Sequence, residues 1–210
     1  MSEIVVFGAG GRAGRATVAE AAGRGHRVTA VVRDPARHPD LGGAGVTVVA
    51  GDVTSAEDVA RIAAGHDAAV NTALRLDMPS TDFLPAATAA LAEGLGRAGV
   101  KRVVLVGIGT TLESAPGVLV HDAPGFPAEY RAFSLGHLAA VEALRDADPA
   151  LDWVVLAPPP TMLDADARAP GSTGSAARRS CPTRTSGCSP TPTWRWRWST
   201  RSRTPGTTAP

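Results

Sequence analysis

An α/β fold with a doubly wound parallel sheet is the architecture this sequence predicts. Three observations point to it. Short β-rich runs alternate with helical stretches along residues 1–167, and several of the runs are apolar at every position, as strands covered on both faces must be. The first run also breaks into glycines that lead directly into a helix.

The elements follow in order. Ile4-Val5-Val6-Phe7 is the first strand, and alanine-rich Arg15–Ala22 is the helix beyond the glycines. Val28–Val32 and Val46–Val49 are the second and third strands. Ser55-Ala56-Glu57-Asp58 opens the next helix, to Ala64: the serine can accept from an amide three residues on, and the carboxylates favour a helix start. Asp67–Asn71 is the fourth strand, Thr81–Ala98 a long Ala/Leu helix and Lys101–Val106 the fifth strand. Ala128–Asp146 is a further helix and Leu151–Leu156 the sixth strand.

Composition sets bounds on function. Of the 210 residues 44% are hydrophobic and 20% charged, and no apolar run approaches the roughly 18 residues a membrane span needs. Met1-Ser2-Glu3 supplies no basic leader, so a cytoplasmic location is expected. The net charge of +1 hides a split: residues 168–210 carry 8 Arg and no Asp, Glu or Lys, leaving residues 1–167 at −7. That tail lacks Leu, Ile, Val, Met, Phe and Tyr, so it cannot bury an aliphatic core and is expected to be disordered.

The chain is thus read as a folded domain at 1–167 and a basic Ser/Thr/Pro/Arg-rich tail at 168–210. The tail's three Trp and two Cys have codons that begin with TG. Read in the frame that starts one base earlier, each supplies the ending TG and forces Leu, Val or Met, and 191–205 can read as an acidic amphipathic helix stopped by proline. A frameshift near Ala167 that removes the C-terminal part of the fold is the resulting expectation. The other reading is a basic arm, in which Trp194-Arg195-Trp196-Arg197-Trp198 would bind nucleic acid or an anionic membrane. Nothing in residues 1–167 resembles a nucleic-acid module, so neither partner is expected. Cys181 and Cys188 have no His or second pair nearby, and no metal is expected.

In a doubly wound sheet, ligands bind beyond the carboxyl ends of the strands. After the first strand stands Gly8-Ala9-Gly10-Gly11-Arg12-Ala13-Gly14. Glycines let a pyrophosphate approach the backbone, and the following helix aims its amides and positive end at it. Gly8, Gly10 and Ala13 fit one dinucleotide-binding spacing, and Gly8, Gly11 and Gly14 fit another. A tight structural turn is the bland alternative.

The second spacing resembles that of atypical and extended short-chain dehydrogenases/reductases. Val32-Arg33-Asp34-Pro35, Gly51-Asp52-Val53-Thr54 and Gly99-Val100-Lys101-Arg102-Val103-Val104 agree with it. The chain is similar to the NAD(P)H-binding, NmrA-like group that includes NADH-flavin and flavin/biliverdin reductases, over residues 1 to about 167. The resemblance implies a Rossmann-type sheet, with Asp52 and Val53 flanking the adenine and Thr72 and Ala73 passing under the nicotinamide side. Arg33 stands where NAD sites place an acidic residue, and Arg12 lies in the glycine loop. Two guanidinium forks suit a 2′-phosphate, so NADP (as NADPH) is expected over NAD.

The catalytic signal is thinner. Short-chain dehydrogenases pair Tyr-x-x-x-Lys with a serine, the lysine easing proton donation by the tyrosine. Here the single tyrosine, Tyr130, is followed four residues on by Ser134. After the fifth strand, Thr110 or Thr111 could donate a hydrogen bond or merely cap a loop. His121 could act as an acid, although a surface loop histidine is the plainer reading. His137 shares a helix face with Tyr130, and the long segment 107–127 is the natural substrate-side element. The expected partner is a small-molecule acceptor, flavin-like or quinone-like, reduced without a Tyr-Lys dyad. A cofactor-sensing, NmrA-like regulator without catalysis is one alternative, and an inactive truncated family member is the other.

Overall fold

The computed structural model describes residues 1–158. The expectations for the tail at 168–210, its reading frame and the lost C-terminal part lie outside the described residues. The chain runs β1 (Glu3–Phe7), α1 (Arg12–Gly23), β2 (Arg27–Val32), β3 (Val46–Ala50), α2 (Ala56–Ala63) and β4 (Ala68–Asn71). It continues through α3 (Ser80–Ala98), β5 (Arg102–Val106), β6 (Glu113–Ala115), β7 (Val118–Leu119), α4 (Ala128–Arg145) and β8 (Asp152–Leu156). Every strand and helix read from the sequence forms. The largest shift is at α1, which begins at Arg12 because Gly11 is already its extended N-cap residue.

Six strands pair in parallel in the order β3-β2-β1-β4-β5-β8, the order of a Rossmann-type sheet. The winding direction reverses between β1 and β4. Phe7 is in register with Val31 on one side and with Asn71 on the other, so the segments that follow β1, β2 and β4 emerge side by side. β2 and β3 are joined without an α-helix. A short turn of 3-10 helix, Pro35–Arg37, stands there instead, capped by the Asp34 carboxylate accepting from the Ala36 amide at 3.1 Å.

The apolar runs are apolar because both sheet faces are covered. Val5, Phe7, Val103 and Leu105 point to a cluster built with Val59 of α2, Leu91 and Leu95 of α3 and Leu144 of α4. Ile4, Val6, Val28 and Ala30 point the opposite way, onto Val18 and Ala21 of α1. Each buried Val or Leu side chain contributes about 1.5–3 kcal/mol. The α1 face thins toward the sheet edge: Val104 is 7% exposed, whereas its β8 neighbour Val154 is 46% exposed. Segment 107–127, read from the sequence only as a long loop, carries two turns of 3-10 helix and the antiparallel hairpin β6–β7. With a three-residue and a two-residue strand, that hairpin is too short to leave an alternating pattern.

Candidate cofactor and acceptor site

The glycines after β1 have different reasons to be glycine. Gly8 has a φ of +75°, and a Cβ there would stand 2.5 Å from the Ala73 backbone, so the β1 and β4 termini meet only without a side chain. At Gly14 a Cβ would lie 2.2 Å from the Gly8 carbonyl oxygen, so α1 could not pack this close to the turn. At Gly10 it would strike the His38 ring at 2.5 Å. Gly11 alone of the four has room: the nearest atom to a Cβ is the Gly8 oxygen at 3.5 Å, an ordinary contact, and its φ is −76°. Nothing among the described residues requires glycine there. Gly11 stands at the start of α1, where a pyrophosphate would approach the bare backbone.

The two neighbouring helix starts differ in the same sense. α2 begins at Ser55, whose Oγ accepts from the Asp58 amide at 3.2 Å, and has Glu57 and Asp58 in its first turn. α1 begins with no side-chain cap and no acidic residue in its first turn. Its first-turn amides and its positive end are left for an anion. The residues present therefore fit a dinucleotide, whose pyrophosphate Gly11, Arg12 and Ala13 would hold.

The other expected cofactor residues fall around this turn. Thr72 Oγ1 donates to the Phe7 and Gly8 carbonyls at 2.9 and 3.0 Å, and the Ala73 amide donates to Asn71 Oδ1 at 3.0 Å. These bonds fix the β4 exit against the glycine turn. Asp52 is exposed, with Oδ1 accepting from the Thr54 amide and hydroxyl. Val53 is 7% exposed and belongs to the core. Arg12 and Arg33 are exposed, and neither makes an ion pair among the described residues. Arg75 binds Asp77 through two hydrogen bonds and holds its carboxyl down to about 2, with Arg33 adding a smaller pull.

Sequence reading missed a clasp on this turn. Arg15 donates from Nε to the Gly10 carbonyl at 3.1 Å and from Nη1 and Nη2 to Asp40 at 2.7 and 3.1 Å. It also reaches His38 Nδ1 at 3.3 Å. Residues 15, 38 and 40 share no local spacing, so only the folded chain brings them together.

On the acceptor side Thr110 does not stand free. Its hydroxyl lies 2.7 Å from Ser134 Oγ, and Ser134 donates to the Tyr130 carbonyl at 2.9 Å, which orders the chain Thr110 to Ser134 to carbonyl. Thr111 donates to the Ile108 carbonyl and caps its own turn. The surface reading of His121 is corrected: it is 1% exposed, and its Nδ1 lies 2.8 Å from the Thr110 carbonyl, which can only accept. Its Nε2 is 3.8 Å from Asp122, itself bound to Arg131. Tyr130 and His137 do not share a stripe, since Tyr130 is 61% exposed and His137 8%. His137 Nε2 is the one buried side-chain polar atom without a partner among the described residues. Burial pushes its pKa down to about 4, so the ring is neutral at neutral pH, with the Phe133 ring edge-on at 5.0 Å.

No helix among the described residues is long and apolar enough to cross a membrane. A Burkholderia pseudomallei protein described as exported is 38% identical to this chain. The match covers 73% of this chain and 70% of that one, with a TM-score of 0.63. A Bacteroides thetaiotaomicron protein described as an epimerase is 29% identical over 76% and 72% of the two chains, with a TM-score of 0.67. A Streptococcus pneumoniae protein described as an NADH-flavin reductase shares the fold at 23% identity over 87% and 83%, with a TM-score of 0.68. The NAD(P)H-binding family model matches residues 8–180. The chain therefore belongs to that NAD(P)H-binding family.

Proposed function

We propose that the protein is an NADPH-dependent reductase that passes hydride to a flavin-like or quinone-like small molecule in the cytoplasm. The observation that carries the nucleotide half is Gly11, a glycine without an internal reason at an uncapped helix start. The preference for NADPH rests on Arg12 and Arg33, both exposed and outside any ion pair among the described residues, while Asp34 is engaged in capping a turn. A planar guanidinium binds phosphate oxygens through two parallel hydrogen bonds.

The acceptor class follows from what the other half lacks. The cofactor, when bound, supplies hydride. Tyr130 has Ser134 in place of the activating lysine, and the Thr110 and Ser134 hydroxyls are spent on each other and on a carbonyl. His137 carries no spare proton at neutral pH. A conjugated ring takes hydride at one position and its balancing proton from solvent, so it requires orientation more than acid catalysis.

Arg33→Asp tests the nucleotide half. NADPH binding should weaken by about 1.5–3 kcal/mol, with NADH almost unaffected, in a calorimetric titration of both. Equal effects on both cofactors would refute the 2′-phosphate reading. The second reading, a cofactor sensor, draws on the same closed hydroxyl chain. Tight NADPH binding with no turnover against free flavins and quinones would select it.

A further inference from the structure

We propose that His38 is a specificity-determining residue of the cofactor site, donating a hydrogen bond from Nε2 to the 2′-phosphate of NADPH. This inference rests on the cofactor reading above and adds a residue to it.

A neighbouring guanidinium sets the tautomer. Arg15 Nη2 lies 3.3 Å from His38 Nδ1. A guanidinium only donates, so Nδ1 accepts, and the proton of the neutral ring sits on Nε2. Nε2 and Cε1 are the ring atoms that occupy the place of a side chain at Gly10. The donor edge of the imidazole thus lies on the glycine turn itself, and Nε2 makes no hydrogen bond among the described residues.

Sheet order decides which part of the dinucleotide meets this edge. His38 arrives from the segment that leaves β2, just beyond the Pro35–Arg37 turn and five residues after Arg33. In this sheet order the end of β2 reads the adenosine ribose, and the helix start reads the pyrophosphate. His38 covers Gly10 and arrives from the β2 side of the turn, and so belongs with the ribose end.

The donor is also held rigidly. Arg15 holds the Gly10 carbonyl, His38 and both oxygens of Asp40 at once. A donor held in place before the ligand arrives loses little entropy on binding. Arg15 and Asp40 neutralise each other, so the clasp presents a donor without adding net charge beside the phosphate.

Calorimetric titration of NADPH and NADH on wild type, His38→Phe and His38→Gln tests this. Phe keeps a ring over Gly10 and removes the donor; Gln restores a donor. His38→Phe should weaken NADPH about tenfold and NADH less than twofold, and His38→Gln should bind NADPH within about threefold of wild type. Unchanged NADPH affinity in His38→Phe, or equal loss of both cofactors, overturns the role of His38 while cofactor binding stands. A wild type without preference for NADPH also overturns it. A wild type that binds neither nucleotide overturns the proposed function and this inference together. Melting temperatures within about 2 °C of wild type establish that the variants fold; for one that does not, the other substitution decides by the same criteria.

Discussion

The two halves of the sheet's carboxyl edge treat their polar groups in opposite ways. Around β1 and β2 the protein leaves donors unspent: α1 starts with neither a side-chain cap nor an acidic residue in its first turn (α3 and α4, also uncapped, carry Asp82 and Glu129 there), Arg12 and Arg33 are in no ion pair among the described residues, and Gly11 is bare. Around β5 and α4 it spends most of them on itself, Thr110 on Ser134, Ser134 on a backbone carbonyl and His121 on the Thr110 carbonyl, and leaves the exposed Tyr130 hydroxyl and the buried His137 Nε2 without partners among the described residues. A site for a large anionic ligand has to keep its donors open until the ligand arrives. A site that only orients an uncharged ring can be built from groups already satisfied.

The largest effect should come where the nucleotide half is least tolerant. Gly14→Ala sets a methyl group 2.2 Å from the Gly8 carbonyl oxygen, against backbone that cannot turn aside. Destabilisation of about 3 kcal/mol or more is expected in urea unfolding, together with loss of cofactor binding. A variant as stable as wild type would show that α1 does not need its close approach to the turn.

The acceptor half should answer to pH. The His137 pKa is lowered from 6.5 to about 4 by burial. Between those values the unfolded chain binds a proton that the folded chain refuses, so stability falls as pH drops from 6.5 to 4 and then levels off. The loss attributable to His137 is about 3 kcal/mol across that window. Asp40, Asp58 and Asp77, whose pKa values are held low by Arg15, Arg61 and Arg75, add an acid loss of their own at lower pH. The diagnostic quantity is therefore the difference between wild type and His137→Leu. That difference should open below pH 6.5, and parallel stability curves would remove the buried neutral imidazole from the account.

Gly11→Asp separates the two demands on a helix start. An aspartate at the N-cap should leave stability unchanged or raise it by a few tenths of a kcal/mol, as Ser55 does for α2. The same carboxylate faces the pyrophosphate and should weaken NADPH by roughly thirtyfold, about 2 kcal/mol. Improved stability with unchanged affinity would place the pyrophosphate elsewhere.

The halves are also unequally legible in the sequence. Backbone geometry dictates Gly8 and Gly14, and with Gly11 midway between them the three mark the turn by their spacing alone. The parallel sheet is equally plain, because strands such as Val5-Val6-Phe7 alternate between two covered faces and must be apolar on both. The Arg15–His38–Asp40 clasp is invisible there, since its members meet only when the segment after β2 folds back over α1. His121 reads as a surface residue in a polar loop and is buried because two 3-10 turns and a short hairpin close around it. His137 carries no sequence mark of its missing partner.

The smallest effect is expected at the residue that would matter most in an ordinary short-chain dehydrogenase. Tyr130 is 61% exposed near the start of α4, and its hydroxyl makes no hydrogen bond among the described residues. The position four residues on, where a lysine would ease proton release, holds Ser134, whose hydroxyl donates back to the Tyr130 carbonyl and not to the phenol. With no cation to tune it and no fixed orientation, the phenol is a poor general acid. Tyr130→Phe should therefore lower NADPH oxidation with a flavin acceptor by less than about tenfold, with cofactor affinity unchanged. A several-hundredfold fall in kcat would mean that the acceptor itself orders this end of α4 and recruits the phenol as a proton donor. The open Tyr130 hydroxyl would then be a working proton donor, and the contrast between the two halves would fail at that residue.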